Sequence, residues 1–389
     1  MKNLFKILGF CAALAVCCAP VYSAQKYNDV MVRVCVVNSK SSFQLAVKDA
    51  CKVYDLSSDK VVMQSSYLSA VVTASREGIR IGNKTFMTGA VRIKPKSDSD
   101  IYIDNRRFRG EIDIIVKESP KMEVVNYVPL EEYLYGVMYH EVSPRWPMES
   151  LKAQAIAART FALYQAIQNK DQPFDLRNDI YSHVYGGKTS EKWATNKAID
   201  LTRGQVLTYD KKVFPANFHA TCAGSTEDAS SLWYIDIPPL DGGKCDFCAS
   251  SPHYKWSKEI SFWALCEKMK DNGYRVGKII SADVLSRNKS GRVEKMEIKD
   301  DEGTSVVISG KDFRQMLGPN DIRSTKFNIS QKWDNLIFDG LGWGHGVGLC
   351  QWGAFGMAAK GKKVDEILRY YYPGSEITTI DKLQAEQGI

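Results

Sequence analysis

Two prolines three residues apart, Pro144 and Pro147, cut the most regular apolar stretch of this chain in two. Proline has no N–H to donate and disfavours helix in the residue before it, so Ser143-Pro144-Arg145-Trp146-Pro147 is a hard break between two helices. Before the break, Leu130, Tyr133, Leu134, Val137 and Met138 recur at the i, i+3, i+4, i+7, i+8 spacing of one buried face. Glu141 is the next member of that stripe. A carboxyl on a buried face is costly unless paired or protonated, and the negative pole at a helix C-terminus disfavours its ionisation further. Both effects keep a proton on it, as a general acid needs. A structural ion pair with a cation of the second helix is the competing reading, and the local pattern leaves both open.

The second helix opens at Pro147 with Glu149 in its first turn, both ordinary start signals. Leu151, Ala155, Ala158 and Ala162 make a small-residue face for close packing. Lys152 and Arg159, seven apart with Ile156 between them, share another face, so two cations point the same way.

Upstream, from Tyr27 to about Val125, the pattern is short alternating runs such as VMVRVCVV, IRIGNKTF and AVRIKP, with turn signals at Gly82-Asn83 and Ser97-Asp98. This reads as an all-β unit without a catalytic constellation, expected to pack on the catalytic unit or to build one wall of it. The first residues, MKNLFKILGFCAALAVCCAP, have the charged start, apolar run and small-residue end of an export signal, with cleavage expected after Ser23. Retention as a membrane anchor is the alternative, and Val16 makes a poor lipidation site. The net charge of +7 is a mild surplus that suits an acidic polymer. No segment has the pattern of a nucleic-acid module.

Farther on, QVLTY and VFPANFHAT flank Asp210-Lys211-Lys212 as a hairpin. Cys222 follows three residues after His219, Cys245 and Cys248 form a Cys-x-x-Cys, and His253 stands five beyond Cys248. Thiolates and imidazole at these spacings make a tetrahedral zinc site from Cys222, Cys245, Cys248 and His253, with His219 as the alternative fourth ligand. Disulfides compete, since an exported chain meets an oxidising environment. Seven cysteines lie beyond the signal, an odd number that cannot pair completely, and Cys35 with Cys51 is one candidate bridge.

From Trp256 to about Ser330 the chain reads as an inserted module with helices at Phe262 to Lys268 and Lys311 to Leu317 and strands VEKMEIKD and SVVISG, framing a groove rather than acting in it. Gly342, Gly344, Gly346 and Gly348 then alternate around His345, which lets backbone approach a ligand closely. Val347 stands where a dinucleotide fingerprint needs its third glycine and no phosphate loop occurs, so no nucleotide cofactor is expected. No His-Glu-x-x-His follows His140-Glu141, which argues against a zinc peptidase.

The run Glu141 to Thr160, Glu-x-x-x-x-Trp-Pro-x-Glu-x-Leu-Lys-Ala-Gln-Ala-x-Ala-Ala-Arg-Thr, resembles the stage II sporulation protein D (SpoIID/LytB) family. The blocks YSHVYGGKTSE to HATCAGSTED, and GLGWGHGVGLCQWGAFGMAAKG with EILRYYYPG, are similar to the same family in the same order. The resemblance implies an α+β fold: a catalytic unit over 126–377 with a central helix pair, an inserted α/β module at about 257–330, an N-terminal β-rich domain over 25–125 and a tail over 378–389. It implies an exported lytic transglycosylase of the periplasm or cell envelope, cutting peptide-stripped peptidoglycan glycan strands to 1,6-anhydro ends, with Glu141 as acid and then base. Lys152 and Arg159 match the family's helix cations and are expected across the groove from Glu141, while Tyr185, His345 and Gln351 are expected to contact substrate. His183 and Cys350 depart from the family's usual Gln and Ser. A glycan-binding activator of a cell-wall amidase is the alternative that the same family implies.

Overall fold

The computed structural model describes residues 30–179 and 182–387. The expected signal at 1–24 lies outside them. Twelve strands come first: β1 (Met31–Lys40), β2 (Ser42–Val47), β3 (Cys51–Asp55), β4 (Lys60–Ser65), β5 (Leu68–Ser75), β6 (Gly78–Ile81), β7 (Lys84–Phe86), β8 (Ala90–Pro95), β9 (Ile101–Ile103), β10 (Arg106–Phe108), β11 (Glu111–Glu118) and β12 (Lys121–Pro129). They form two sheets. One runs β1-β12-β11-β8-β3-β4, the other β10-β9-β2-β5-β6-β7. Alternate residues such as Val32 and Val34, Leu45 and Val47, and Ile101 and Ile103 are fully buried, the period-two pattern of a sheet with one covered face.

β12 runs straight into α1 (Leu130–Glu141), and α2 (Met148–Gln168) follows the proline break. The five stripe residues Leu130, Tyr133, Leu134, Val137 and Met138 are all buried, and they share one apolar core with the β strands and with Leu151, Ala155, Ala158 and Ala162 of α2. The boundary expected at 125 therefore falls inside β12. β13 (Leu176–Arg177) adds to the first sheet parallel to β1, which draws the end of α2 onto that sheet.

After α3 (Trp193–Leu201), β14 (Gln205–Tyr209) and β15 (Lys212–Val213) make the expected hairpin, with Asp210 and Lys211 both at positive φ as a tight mirror-image turn requires. β16 (Phe218–His219), α4 (Ser230–Trp233), β17 (Lys255–Ser261), α5 (Phe262–Asp271), β18 (Ile279–Arg287), β19 (Val293–Asp300), β20 (Ser305–Ser309), α6 (Gly310–Leu317), β21 (Phe327–Lys332) and β22 (Asn335–Leu341) come next. Residues from Trp256 to Phe338 close a separate core around Phe313, Met296 and Phe338, somewhat longer than the 257–330 expected of the inserted module.

The chain ends with β23 (Leu349–Cys350), α7 (Gln351–Ala359), α8 (Val364–Tyr371), β24 (Glu376–Thr379) and α9 (Ile380–Gln387). β23 pairs in parallel with β16, placing His219 opposite Cys350. The described part of the expected tail packs on the rest: β24 pairs with β14, and Ile380 and Leu383 of α9 enter the core shared by the sheets and the helix pair.

Candidate active site and metal centre

A cleft of about 710 Å³ opens where the end of α1, the proline break, the start of α7, the glycine-rich loop and the inserted module meet. His140, Glu141, Ser143 and Trp146 line it. Trp343, Gly344, His345, Gln351 and Trp352 line it too, as do Lys311, Arg314 and Gln315 of α6 in the inserted module. The module thus frames the groove, as its lack of a catalytic constellation suggests.

Glu141 is the last residue of α1, so the helix that buries its apolar stripe carries the carboxyl to the cleft wall. Burial raises the carboxyl to about 7, against a smaller opposing effect of a hydrogen bond donated by the Gln351 side-chain amide. That bond, Gln351 Nε2 to Glu141 Oε2, is 3.1 Å long. No cation of α2 pairs with the carboxyl. Among the described residues, Asp179 is the other acid that lines the cleft.

All five histidines of the chain line this cleft. Burial lowers every one of them, His183 and His345 to about 3, and Arg314 and Arg292 press His345 down further. All are therefore neutral at pH 7. His219 Nδ1 donates to the Val347 carbonyl at 3.1 Å, and His345 Nδ1 accepts from the Val347 N–H at 3.1 Å. His183 Nδ1 meets the Tyr133 hydroxyl at 2.9 Å and its ring stacks on Phe218. Of the positions expected to touch substrate, His345 and Gln351 are at the cleft.

Three others are elsewhere. Arg159 is fully buried, forking onto Glu131 of α1 with two 2.8 Å bonds and donating to the Ile199 and Gln205 carbonyls. The seven-residue spacing put two cations on one side of α2 but could not say that α1 supplies a carboxylate to one of them. Lys152 pairs with Glu149 at 2.9 Å on its own helix. Tyr185 is buried, its hydroxyl on Asn126 at 2.9 Å and its ring against Phe108 and Tyr133, with no face free for a sugar.

Behind the cleft, Cys222, Cys245, Cys248 and Cys350 bring four buried sulfurs within 4.8 Å of one another. This corrects the fourth ligand: His253 stands edge-on to Trp343 in the cleft and His219 is bound to Val347, whereas the β16–β23 pairing carries Cys350 to the other three. Cys350 is 128 residues from Cys222, beyond the reach of any spacing rule. The cysteines are free, and Cys222 Sγ to Cys248 Sγ is 3.6 Å, far from a disulfide bond but close to the roughly 3.8 Å between two ligands of a tetrahedral zinc with ~2.3 Å bonds. Cys350 Sγ accepts N–H bonds from Cys222 and Gly353, both at 3.3 Å, and the Tyr371 hydroxyl lies 3.2 Å from Cys245 Sγ. Donors of this kind surround thiolates that hold a metal. Four buried sulfurs this close cannot all ionise without a cation among them, because each thiolate disfavours the next. Cys35 and Cys51 are not bridged: β1 and β3 are separated by three strands, which at about 4.8 Å per step sets them roughly 19 Å apart.

The aromatic walls had no periodic signal. Trp146 packs edge-on to Trp352 at 5.1 Å, Trp233 meets His345 at 5.0 Å, and the Arg323 guanidinium sits 4.8 Å over Trp343. Tryptophans scattered over more than two hundred residues converge only in the fold.

A family model described as "Stage II sporulation protein" matches residues 118–209, from the end of β11 through the helix pair to β14. A domain of unknown function, DUF8618, matches residues 245–348, from the Cys-x-x-Cys to the glycine-rich loop. An uncharacterised protein of Brachyspira hyodysenteriae is 31% identical over 362 residues, 92% of this chain and 96% of that protein. The amidase enhancer of Bacillus subtilis is 24% identical over 432 residues, 91% of this chain and 60% of that protein. The stage II sporulation protein D of Bacillus subtilis is 33% identical over 288 residues, 69% of this chain and 80% of that protein. Agreement at that level across four-fifths of a relative, together with the match over the helix pair that delivers Glu141, establishes that this chain belongs to the stage II sporulation protein D family.

Proposed function

We propose that this protein is an exported lytic transglycosylase that cuts peptidoglycan glycan strands, preferably those stripped of peptide stems, between N-acetylmuramic acid and N-acetylglucosamine. The observation that carries this reading is Glu141, an acid raised to about 7 by burial, set at the wall of a cleft with an amide donor on it. At neutral pH a large share of it keeps its proton, ready for the glycosidic oxygen. Once the bond breaks, the same group, now a carboxylate held by the Gln351 amide, takes the proton of the muramyl C6 hydroxyl as that oxygen closes on C1. The substrate supplies the nucleophile, so one carboxyl serves both steps, unlike ordinary glycoside hydrolysis with its carboxyl pair.

Trp146, Trp343 and Trp352 give the cleft apolar surface of the kind that sugar rings pack on, and Lys311 and Arg314 among its lining give positive charge suited to the free lactyl carboxylates of a peptide-free strand. The four cysteines would hold a zinc-like ion as a structural element, supplying rigidity and no chemistry at the sugar. Mass spectrometry of digested peptide-free glycan tests the reading. Anhydromuramyl ends support it; reducing ends, lost in Asp179→Asn, would mean hydrolysis with Asp179 as the base.

Similarity to a protein named amidase enhancer favours a second reading, a glycan-binding activator of a cell-wall amidase. Under it the protein binds glycan without cutting it and raises the rate of an added amidase, and Glu141→Gln does so equally well.

A further inference from the structure

The four-cysteine cluster and the acid are joined through two adjacent residues. Cys350 caps α7 with its sulfur and belongs to the cluster, and the next residue, Gln351, donates to Glu141. Trp352 then packs against Trp146 of the proline break. The opposite face of α7 is pressed onto the Cys-x-x-Cys loop: a Cβ on Gly353 would stand 3.0 Å from Cys245 Sγ and 1.8 Å from the Tyr371 hydroxyl oxygen, and one on Gly356 would stand 2.1 Å from the Phe247 carbonyl oxygen. At such contact the first turn of α7 has no slack to absorb a movement of that loop.

Positive charge lies beside the cluster. Four thiolates on a divalent cation leave a net charge of about −2, and the inserted module brings up the buried Arg292, itself 3.9 Å from the buried Glu227, and the half-buried Lys326. Arg292 donates to the Cys222 carbonyl at 3.2 Å, and Lys326 donates to the Ala223 carbonyl at 3.1 Å. Arg292 also packs against Gly346, whose added Cβ would lie 2.5 Å from the guanidinium, so the same side chain steadies the glycine-rich loop of the cleft.

We infer that Cys222, Cys245, Cys248 and Cys350 bind one zinc-class divalent cation, and that this ion is a positioning device: it locks the first turn of α7 so that the Gln351 amide meets Glu141. Each ligating thiol releases its proton to solvent on binding. The consequence for rate rests on the proposed acid role of Glu141; the consequence for the position of Gln351 does not. Without the ion, Cys350 keeps its strand pairing to β16 and the N–H bonds onto its sulfur but loses its bonded tie to the Cys-x-x-Cys loop, and a shift of about half an ångström takes a 3.1 Å bond to the edge of hydrogen-bond range.

The test uses the full exported chain loaded with zinc, stripped by a chelator and reloaded. Cobalt should bind one per chain with intense thiolate-to-metal absorption, weakened in each Cys→Ser variant. Stripping should move the Gln351 side-chain amide resonance and lower kcat about tenfold with KM within about twofold, and zinc should restore both. Gln351→Ala should cost a similar factor, and stripping Gln351→Ala should cost little more, because both remove one interaction. If the stripped chain unfolds, exchange to the larger cadmium ion should shift Gln351 and Trp352 resonances while that of the distant, exposed Trp193 stays. Failure to bind cobalt, an unmoved Gln351 amide in folded metal-free or cadmium-loaded protein, or fully additive losses would overturn the inference. Full activity in Glu141→Gln would sink the acid role instead, leaving the amide resonance to decide the positioning.

Discussion

Gln351 reaches Glu141 across 210 residues of chain and donates its side-chain amide to the carboxyl at 3.1 Å. The bond holds the acid toward the cleft in either protonation state. It stabilises the carboxylate form, yet burial outweighs it and the group stays near 7. A cation in the same place would have ionised the group outright; a neutral amide orients it without doing so.

Glu141→Gln keeps the shape and the hydrogen-bonding partner but holds no transferable proton. Release of anhydromuramyl ends from peptide-free glycan should fall at least about 100-fold, the usual contribution of a general acid, with circular dichroism unchanged. In the wild type, kcat/KM should decline as pH rises above about 7, where the acid begins the cycle deprotonated. A rate that keeps rising to pH 9 would exclude Glu141 as the acid.

The same raised carboxyl links stability to pH. Its folded value of about 7 exceeds the ordinary 4.5, so the native state binds the proton more tightly than the unfolded chain. The contribution is fully present below pH 4.5 and is lost as pH rises through 7. Urea unfolding of wild type against Glu141→Gln should show the wild type losing relative stability across that window, by on the order of 3 kcal/mol at most for a group that the cleft leaves partly open. A difference that is flat with pH would contradict the buried environment.

Arg159 and Glu131 form a buried, two-pronged pair between α2 and α1. Glu131→Gln leaves a guanidinium without its counter-charge and should cost about 3–5 kcal/mol in unfolding free energy. Arg159→Lys, which cannot fork, should cost less but measurably. In whatever fraction stays folded, KM for glycan should be unchanged. A selective rise in KM with stability intact would return Arg159 to the substrate site.

Gly344 sits at φ +113°, and a Cβ there would stand 2.7 Å from the His219 Cβ. Gly344→Ala must strain the backbone or push β16 aside, costing about 1–3 kcal/mol, and it should lower kcat because His345 and Gln351 belong to the same connection. Thermal unfolding and glycan turnover measured together check it; an unchanged variant would mean that the loop is slack.

The helix pair and its break were legible in the chain alone, because a 3.6-residue apolar period and two prolines are local facts that tertiary contacts had no cause to override. Glu141 stood out for the same reason, as a carboxyl on a stripe that buries everything else. The β unit, the hairpin at Asp210-Lys211 and the module's helices were likewise local patterns. What the tertiary structure decided was partnership. Arg159 on its helix face reads the same whether it meets a substrate or Glu131, and only the approach of α1 to α2 selects Glu131. Cys350 reads as a misplaced serine until β16 and β23 pair, and the five histidines and the tryptophans share a cleft only after three separate cores have packed. Periodicity carries information about which face a residue occupies, while the identity of what lies against that face depends on contacts between residues far apart in the chain.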